Sequence, residues 1–281
     1  MERTFAVRHA RTLIGWLILF AVVVLVVLCS LRYLDDRLHV RVETFHVPQK
    51  AQLHSIEAAV ELFGNESGGY PPSEANDVTG TPYCGAMKLA EATMGQDLLG
   101  CHRKSAFWAD GLDPNSLAPL YTADTLRARL GPFLASETAN VFRLVDIYGE
   151  GKTGPFPENA LVLCDTYVHK RPSGKKVGMP ILYYRADPSG MKHDPNNPDD
   201  PKNIYDYRDN LALINLGVPG DPNVIHPLAN PKRFYLNTRD HMVSGTPRPY
   251  RADFILISAG YDGLYGTADD ICNFEWRYRE R

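Results

Sequence analysis

The sequence predicts an α+β protein: an N-terminal transmembrane helix, an amphipathic helix, and a head built on a mainly antiparallel sheet. Three observations predict it. Residues 13–31, LIGWLILFAVVVLVVLCSL, carry no charge. From Gln49 to Glu66, apolar residues recur at spacings of three and four. Beyond residue 140 the helical period gives way to short runs rich in Val, Leu, Ile and Tyr, punctuated by Gly and Pro. Helices first and strands afterwards is the α+β order.

Residues 1–12 form a short tail with Arg3, Arg8 and Arg11 against one acid, Glu2. At 1.5 Å per residue the apolar run that follows spans about 28 Å, close to the hydrocarbon thickness of a bilayer. A helix is the one single-segment structure that satisfies its own backbone there. Trp16 and Tyr33 fall near the two ends, where amphipathic rings favour the interfaces. A cleaved signal peptide and a buried core helix are the alternatives. The run is longer than a signal core of about 7–15 residues, and no small-x-small cleavage site follows it. Arg32, Arg37 and Arg41 balance the tail's arginines, so the positive-inside count does not orient the span. The short tail and large body make a cytoplasmic N-terminus the simpler arrangement.

A connector over 32–48 leads to the body, 49–281. Pro48 suits the first turn of a helix, where its missing N–H costs nothing. Leu53, Ile56, Ala59, Val60 and Phe63 then make an apolar stripe, with Glu57, Glu61 and Glu66 mostly off it. Gly68-Gly69 ends the helix and Pro71-Pro72 prevents its resumption. Further helices are expected over Tyr83–Leu99 and Ala123–Leu134. Strands are expected over Asn140–Tyr148, Ala160–Val168, Met179–Ala186, Asp253–Ser258 and Ile271–Tyr278. Between them, about 187–209 is rich in Asp, Asn and Pro and reads as a solvated insertion or a partner-binding loop.

Composition narrows the function. The 281 residues carry 30 Lys+Arg against 33 Asp+Glu, a net charge of -3, which argues against nucleic acid as a partner. There is no Walker loop or dinucleotide fingerprint, so no nucleotide is expected, and no G-x-S-x-G elbow or H-E-x-x-H helix, so no enzyme is expected. His54, His102, His193, His226 and His241 lack zinc-ligand spacing. His169, Lys170, Arg171, Lys175 and Lys176 read as a solvated basic turn. Cys84 and Cys101, or Cys164 and Cys272, could pair in an exported body or stay buried thiols.

The sharpest local signal is the loop from Ser258 to Ile271. Asp262, Thr267, Asp269 and Asp270 offer side-chain oxygens, and Leu264 and Tyr265 offer carbonyls. Gly260, Gly263 and Gly266 permit the turns that would aim these groups inward. Ca²⁺ takes about six to eight such oxygens in a flexible cage, and crowded carboxylates repel without a cation. A calcium loop and a plain polar β-hairpin both satisfy this pattern. The spacing is not that of an EF-hand, and the loop holds no His for a catalytic zinc.

Ser258–Phe274, SAGYDGLYGTADDICNF, resembles the C-terminal signature of type II secretion major pseudopilins and related type IV pilin-like proteins. Ile56–Pro72, IEAAVELFGNESGGYPP, resembles the end of their first helix and the turn after it. Residues 12–31, 49–72 and 251–274 carry the likeness. The middle, 74–248, is longer than an ordinary head of that family. The resemblance implies a pilin-like fold and a membrane-anchored structural or assembly role in protein transport. It implies a single pass through a bacterial cytoplasmic (inner) membrane at 13–31, with the C-terminal domain periplasmic. It implies pilin-like or secretion-system proteins as partners, and Ca²⁺ held at Leu256, Ser258, Asp262, Asp269 and Asp270. Where the family has Gly followed by Phe-Thr-Leu-Ile-Glu, this chain has Ala10-Arg11-Thr12-Leu13-Ile14-Gly15. That departure implies an unprocessed, stationary relative. A membrane-tethered hydrolase or ligand-binding protein on the same frame is the competing expectation, and a deep pocket with converging polar side chains would favour it.

Overall fold

The computed structural model describes residue 24 and residues 46–240, 248–249 and 253–276. Apart from helical Val24, the expected span at 13–31 lies outside the described residues, as do the tail and most of the connector. No helix among the described residues is long and apolar enough to cross a membrane. Residues Pro48–Arg281 form a compact unit distinct from Met1–Val47. It is a mixture of helices and small antiparallel sheets, the α+β class expected.

The described elements run in this order. Helix α1 covers 46–67. Helix α2 is Gly85–Met94, followed by β1 (Cys101–His102), β2 (Arg129–Leu130), β3 (Val141–Arg143), α3 (Leu144–Tyr148) and β4 (Leu161–Leu163). Then come β5 (His169–Lys170), β6 (Lys176–Val177), β7 (Leu182–Arg185), α4 (Leu211–Ile214) and α5 (Pro231–Asn237). The last are β8 (Arg239–Asp240), β9 (Arg248–Pro249), β10 (Phe254–Ser258) and β11 (Ile271–Cys272).

The central sheet has the order β11-β10-β7 and is antiparallel. Leu256 stands opposite Tyr183, and Ser258 opposite Ile271. The stripe of α1 packs here: Leu53, Ile56, Ala59 and Val60 share a cluster with Leu163, Ile181, Tyr183, Phe254, Leu256 and Ile271. Burying one such Leu, Ile or Val is worth about 1.5–3 kcal/mol, which a lone helix of this length needs. Phe63 turns into the second cluster, edge-on to Phe107 and Phe133. The start of α1 is pinned by side chains. Gln52 donates to the Cys164 carbonyl at 2.9 Å, and Gln49 accepts from the Thr166 amide at 2.7 Å. Its exit is pinned by Tyr183, whose hydroxyl donates to the Pro71 carbonyl at 2.8 Å.

Helix α2 is buried on every face. It lies so close to β7 that a Cβ on Gly85 would fall 2.2 Å from the Tyr183 carbonyl oxygen. Asn210 bridges the two, donating to Tyr183 O at 2.7 Å and accepting from the Ala86 amide at 2.9 Å. Glu91 ties α2 to the long excursion that follows. Its carboxylate accepts from Tyr83 and Gln96 at 2.6 and 3.1 Å, and from Ser105 and Tyr121 at 2.5 Å each.

Several expected elements are corrected. Residues Ala123–Ala128 form a 3₁₀ turn that runs into β2, in place of a helix to Leu134. Thr125 spends its hydroxyl on the Leu120 carbonyl at 2.6 Å, and Arg129 reaches back to Thr122 O at 2.9 Å and to Asp97 at 2.5 Å. Those bonds pull the chain out of the α path. The expected strand Asn140–Tyr148 is β3 followed by α3. Asp146 accepts from the Arg143 amide at 3.4 Å, a capping bond that starts a helical turn. The last strand is only two described residues long, and residues 277–278 lie outside the description. Helices α4 and α5 had no sequence expectation. Asn230 caps α5, accepting from the Lys232 and Arg233 amides, with Pro231 at the first helical position. Arg171 is buried rather than solvated and donates to Val177 O at 2.7 Å. Cys84, Cys101, Cys164 and Cys272 are all free thiols.

Candidate functional site

The terminal loop joins β10 to β11, so its two ends are held one strand apart by the Ser258–Ile271 pair. Gly260 makes the entry turn at φ +67, where a Cβ would strike the Asp269 carbonyl oxygen at 2.3 Å. The loop therefore folds tightly enough to bring residues 260 and 269 into backbone contact.

Asp262 and Asp269 are brought together. The Asp262 amide donates to Asp269 Oδ2 at 3.0 Å, and Asp262 Oδ1 accepts from the Leu264 amide at 2.7 Å. Partial desolvation first, and then the Asp269 charge, push the Asp262 carboxyl up to about 6. Asp270 lies on the inner side, buried, and caps the turn. It accepts from the Gly266 amide at 2.7 Å and the Thr267 amide at 3.1 Å. Burial holds its carboxyl well above the ordinary carboxylate range.

Thr267 is the hub. Its hydroxyl lies 2.6 Å from Asp269 Oδ1, 3.2 Å from Asp270 Oδ1 and 3.2 Å from the Leu264 carbonyl oxygen. A hydroxyl carries one proton and can donate to one of these three acceptors at a time. Asp270 Oδ1 is also served by the Thr267 amide, so Asp269 Oδ1 and the Leu264 carbonyl are the two oxygens that compete for the hydroxyl proton.

The other two expected ligand residues are engaged elsewhere. Ser258 donates its hydroxyl to Asp165 at 3.1 Å, inside the core. Leu256 is the middle of β10, and its carbonyl accepts from the Asn273 amide at 3.4 Å. Asp165 is a residue that sequence reasoning missed. Burial pushes it up to about 7, while the Met179 and Tyr167 amides at 3.0 and 3.2 Å pull the other way. Its only signal in the sequence was a carboxylate at the end of an apolar strand.

Two further segments clamp the loop. His226 accepts from the Tyr265 amide at 3.2 Å through Nδ1, and the Leu228 amide donates to the Tyr265 carbonyl at 3.0 Å. Burial pushes the His226 imidazole down to about 4, which keeps that nitrogen free to accept. Trp276 donates from its indole to the Thr267 carbonyl at 2.8 Å. On the outer side, Tyr261 meets the rings of Tyr167 and His169 edge-on.

The donor set suits a hard cation in its chemistry: carboxylate, hydroxyl and carbonyl oxygens, without nitrogen or sulfur at the hub. Among the described residues no group of three or more His, Cys, Asp or Glu is gathered as a metal site. A cation here would therefore draw on hydroxyl and backbone oxygens beside the carboxylates. No protein-family model, no curated protein and no solved structure matches this chain.

Proposed function

We propose that the chain is a membrane-anchored structural or assembly protein that resembles a type II secretion pseudopilin, with its C-terminal loop stabilised by Ca²⁺. One observation carries the calcium part: oxygens of Asp269, Asp270 and Leu264 converge on the Thr267 hydroxyl, and of these Asp269 Oδ1 and the Leu264 carbonyl share its one proton. A divalent ion relieves that shortage of donors and offsets the repulsion between Asp262 and Asp269. Asp262, Thr267, Asp269 and the Leu264 carbonyl would hold it, with Asp270 shaping the turn. Ser258 and Leu256 contribute by anchoring the strand beneath. The ion supplies rigidity, and no chemistry on a substrate is asked of it.

The assembly role rests on the uncharged run at 13–31, the amphipathic α1 and the terminal signature. In this reading the span sits in the bacterial inner membrane and the head is periplasmic, where it meets pilin-like or secretion-system proteins. The test uses the full chain purified from membranes. Melting is recorded in EGTA, in millimolar Ca²⁺ and in millimolar Mg²⁺, and in-cell crosslinking identifies neighbours by mass. A Ca²⁺-specific rise in melting temperature, together with crosslinks to pilin-like proteins, is expected. Coincident melting curves sink the calcium part. Crosslinks confined to unrelated soluble proteins sink the assembly part.

A further inference from the structure

A cleft of about 490 Å³ opens between the end of β7, the Ser73-Glu74 segment and the Asp/Asn/Pro-rich insertion. Most of the charge around it is already matched by fixed partners. Arg208 grips Asp206 through Nε at 2.8 Å and Nη2 at 2.6 Å. Lys192 holds Asp200 at 2.6 Å, and Lys88 lies 3.4 Å from Glu74.

Two lining groups of opposite sign make no ion pair among the described residues, although the Arg185 charge helps to lower the Asp187 carboxyl. The Arg185 guanidinium makes no hydrogen bond or ion pair with any described residue. Asp209 is 6% exposed, and only one of its oxygens is satisfied, by the Ser73 hydroxyl at 2.5 Å. No described group hydrogen-bonds its other oxygen. Ser73 also links the two residues. Its hydroxyl oxygen accepts from the Arg185 amide at 3.0 Å while its proton goes to Asp209. The carboxyl is thus oriented and the guanidinium is rooted one hydrogen bond away.

A carboxyl with one oxygen, and a guanidinium, that no described group hydrogen-bonds line one polar cleft and suit a ligand that carries both complements. A simple cation would leave Arg185 unpaired beside it. A simple anion would face Asp209, Asp187 and Glu74. We propose that this cleft binds a small zwitterion of the amino-acid class, its carboxylate on Arg185 and its ammonium on the free oxygen of Asp209. Ile204 and the rings of Pro188 and Pro198 offer an apolar wall for a side chain. The volume holds a single amino acid or a dipeptide-sized molecule and excludes little else of that charge pattern.

The test is calorimetric titration of the full-length protein in nanodiscs with the common free amino acids, their methyl esters and their N-acetyl forms. At least one free amino acid binds, and esterification or acetylation weakens it by about tenfold or more. Arg185→Gln weakens the free amino acid by a similar factor and leaves the ester unchanged. Asp209→Asn weakens the free amino acid and leaves the N-acetyl form unchanged. Arg185 is part-exposed, so its variant reads binding without loss of the fold. The proposal is overturned if no free amino acid binds at millimolar concentration, if capped forms bind as well as free ones, or if Arg185→Gln binds like the parent. The calcium reading is independent of all these outcomes, because the terminal loop contributes no residue to this cleft.

Discussion

The terminal loop, 259–270, and the insertion, 187–209, share a composition: both are rich in Asp, turned by Gly or Pro, and poor in regular structure. Their carboxylates are balanced by different means. In the insertion Lys192 answers Asp200 and Arg208 answers Asp206, each at 2.6 Å. Asp187 and Asp194 are absorbed into tight turns by the amides of Ser189 and Asn196 at 2.8 and 2.9 Å. In the terminal loop no described Lys or Arg bridges Asp262, Asp269 or Asp270, and backbone amides and one threonine hydroxyl are what they meet. Composition therefore does not set the electrostatics of a loop. Where the chain brings its own cations, the loop closes by itself. Where it brings only oxygens, amides and one hydroxyl are the partners, and the carboxyls of Asp262 and Asp270 are pushed up toward the protonated form.

The severest way to break this comparison is to remove the platform under the terminal loop. Leu256 is fully buried in β10, between the α1 stripe and the sheet. Leu256→Ala is expected to cost about 2–5 kcal/mol in denaturant unfolding, through lost burial and a residual cavity. An unchanged midpoint with unchanged slope would mean that the loop does not depend on the sheet.

Next comes the ion itself. Saturating Ca²⁺ at about one hundred times Kd is expected to raise stability by about 2.7 kcal/mol. Asp262→Ala and Asp269→Ala should each remove most of that gain, while Asp199→Ala in the insertion should keep it. If Asp199→Ala removes the gain instead, the two loops have exchanged roles and the comparison fails.

A smaller effect tests whether carboxylates near the insertion are all neutralised by partners. Asp209 is the exception, pushed up to about 7 by burial. Its folded value lies above its unfolded one, so the folded state holds the proton more tightly. The stability this gives is full below about pH 4 and is lost as pH rises through 7. Between pH 6 and pH 7 the loss should be about 1 kcal/mol, and Asp209→Asn should flatten it. Urea midpoints for parent and variant at both pH values decide the point: parallel pH slopes would remove Asp209 as the source.

The smallest effect is expected at the insertion's own ion pairs. Arg208 is half exposed, and Arg208→Gln should change stability by less than about 1 kcal/mol. A larger loss in thermal unfolding would show that the insertion's charge matching is structural rather than a surface feature.

The parts of the fold legible in the sequence are those set by period. The α1 stripe of Leu53, Ile56, Ala59 and Val60 packs on the expected sheet, and the strands at 182–185 and 254–258 fall inside their expected ranges. Where side chains compete for the backbone, period misleads. Thr125 and Arg129 turn an expected helix into a 3₁₀ turn, and Asp146 turns half of an expected strand into α3. In the candidate site the meeting of Asp262 and Asp269 was legible because glycines at 260, 263 and 266 mark a tight turn around them.

By itself, then, the sequence determined the uncharged run at 13–31, the amphipathic face of α1, the β10–loop–β11 unit and its load of oxygens. Those are local properties, carried by neighbours within a few residues. Tertiary structure alone decided what faces what. Ser258 meets Asp165 across 93 residues, Ser73 meets Asp209 across 136, and Gln52 meets the Cys164 carbonyl across 112. Such pairs leave no periodic trace, because each is selected by the packing of whole elements and by the cost of burying a polar atom without a partner.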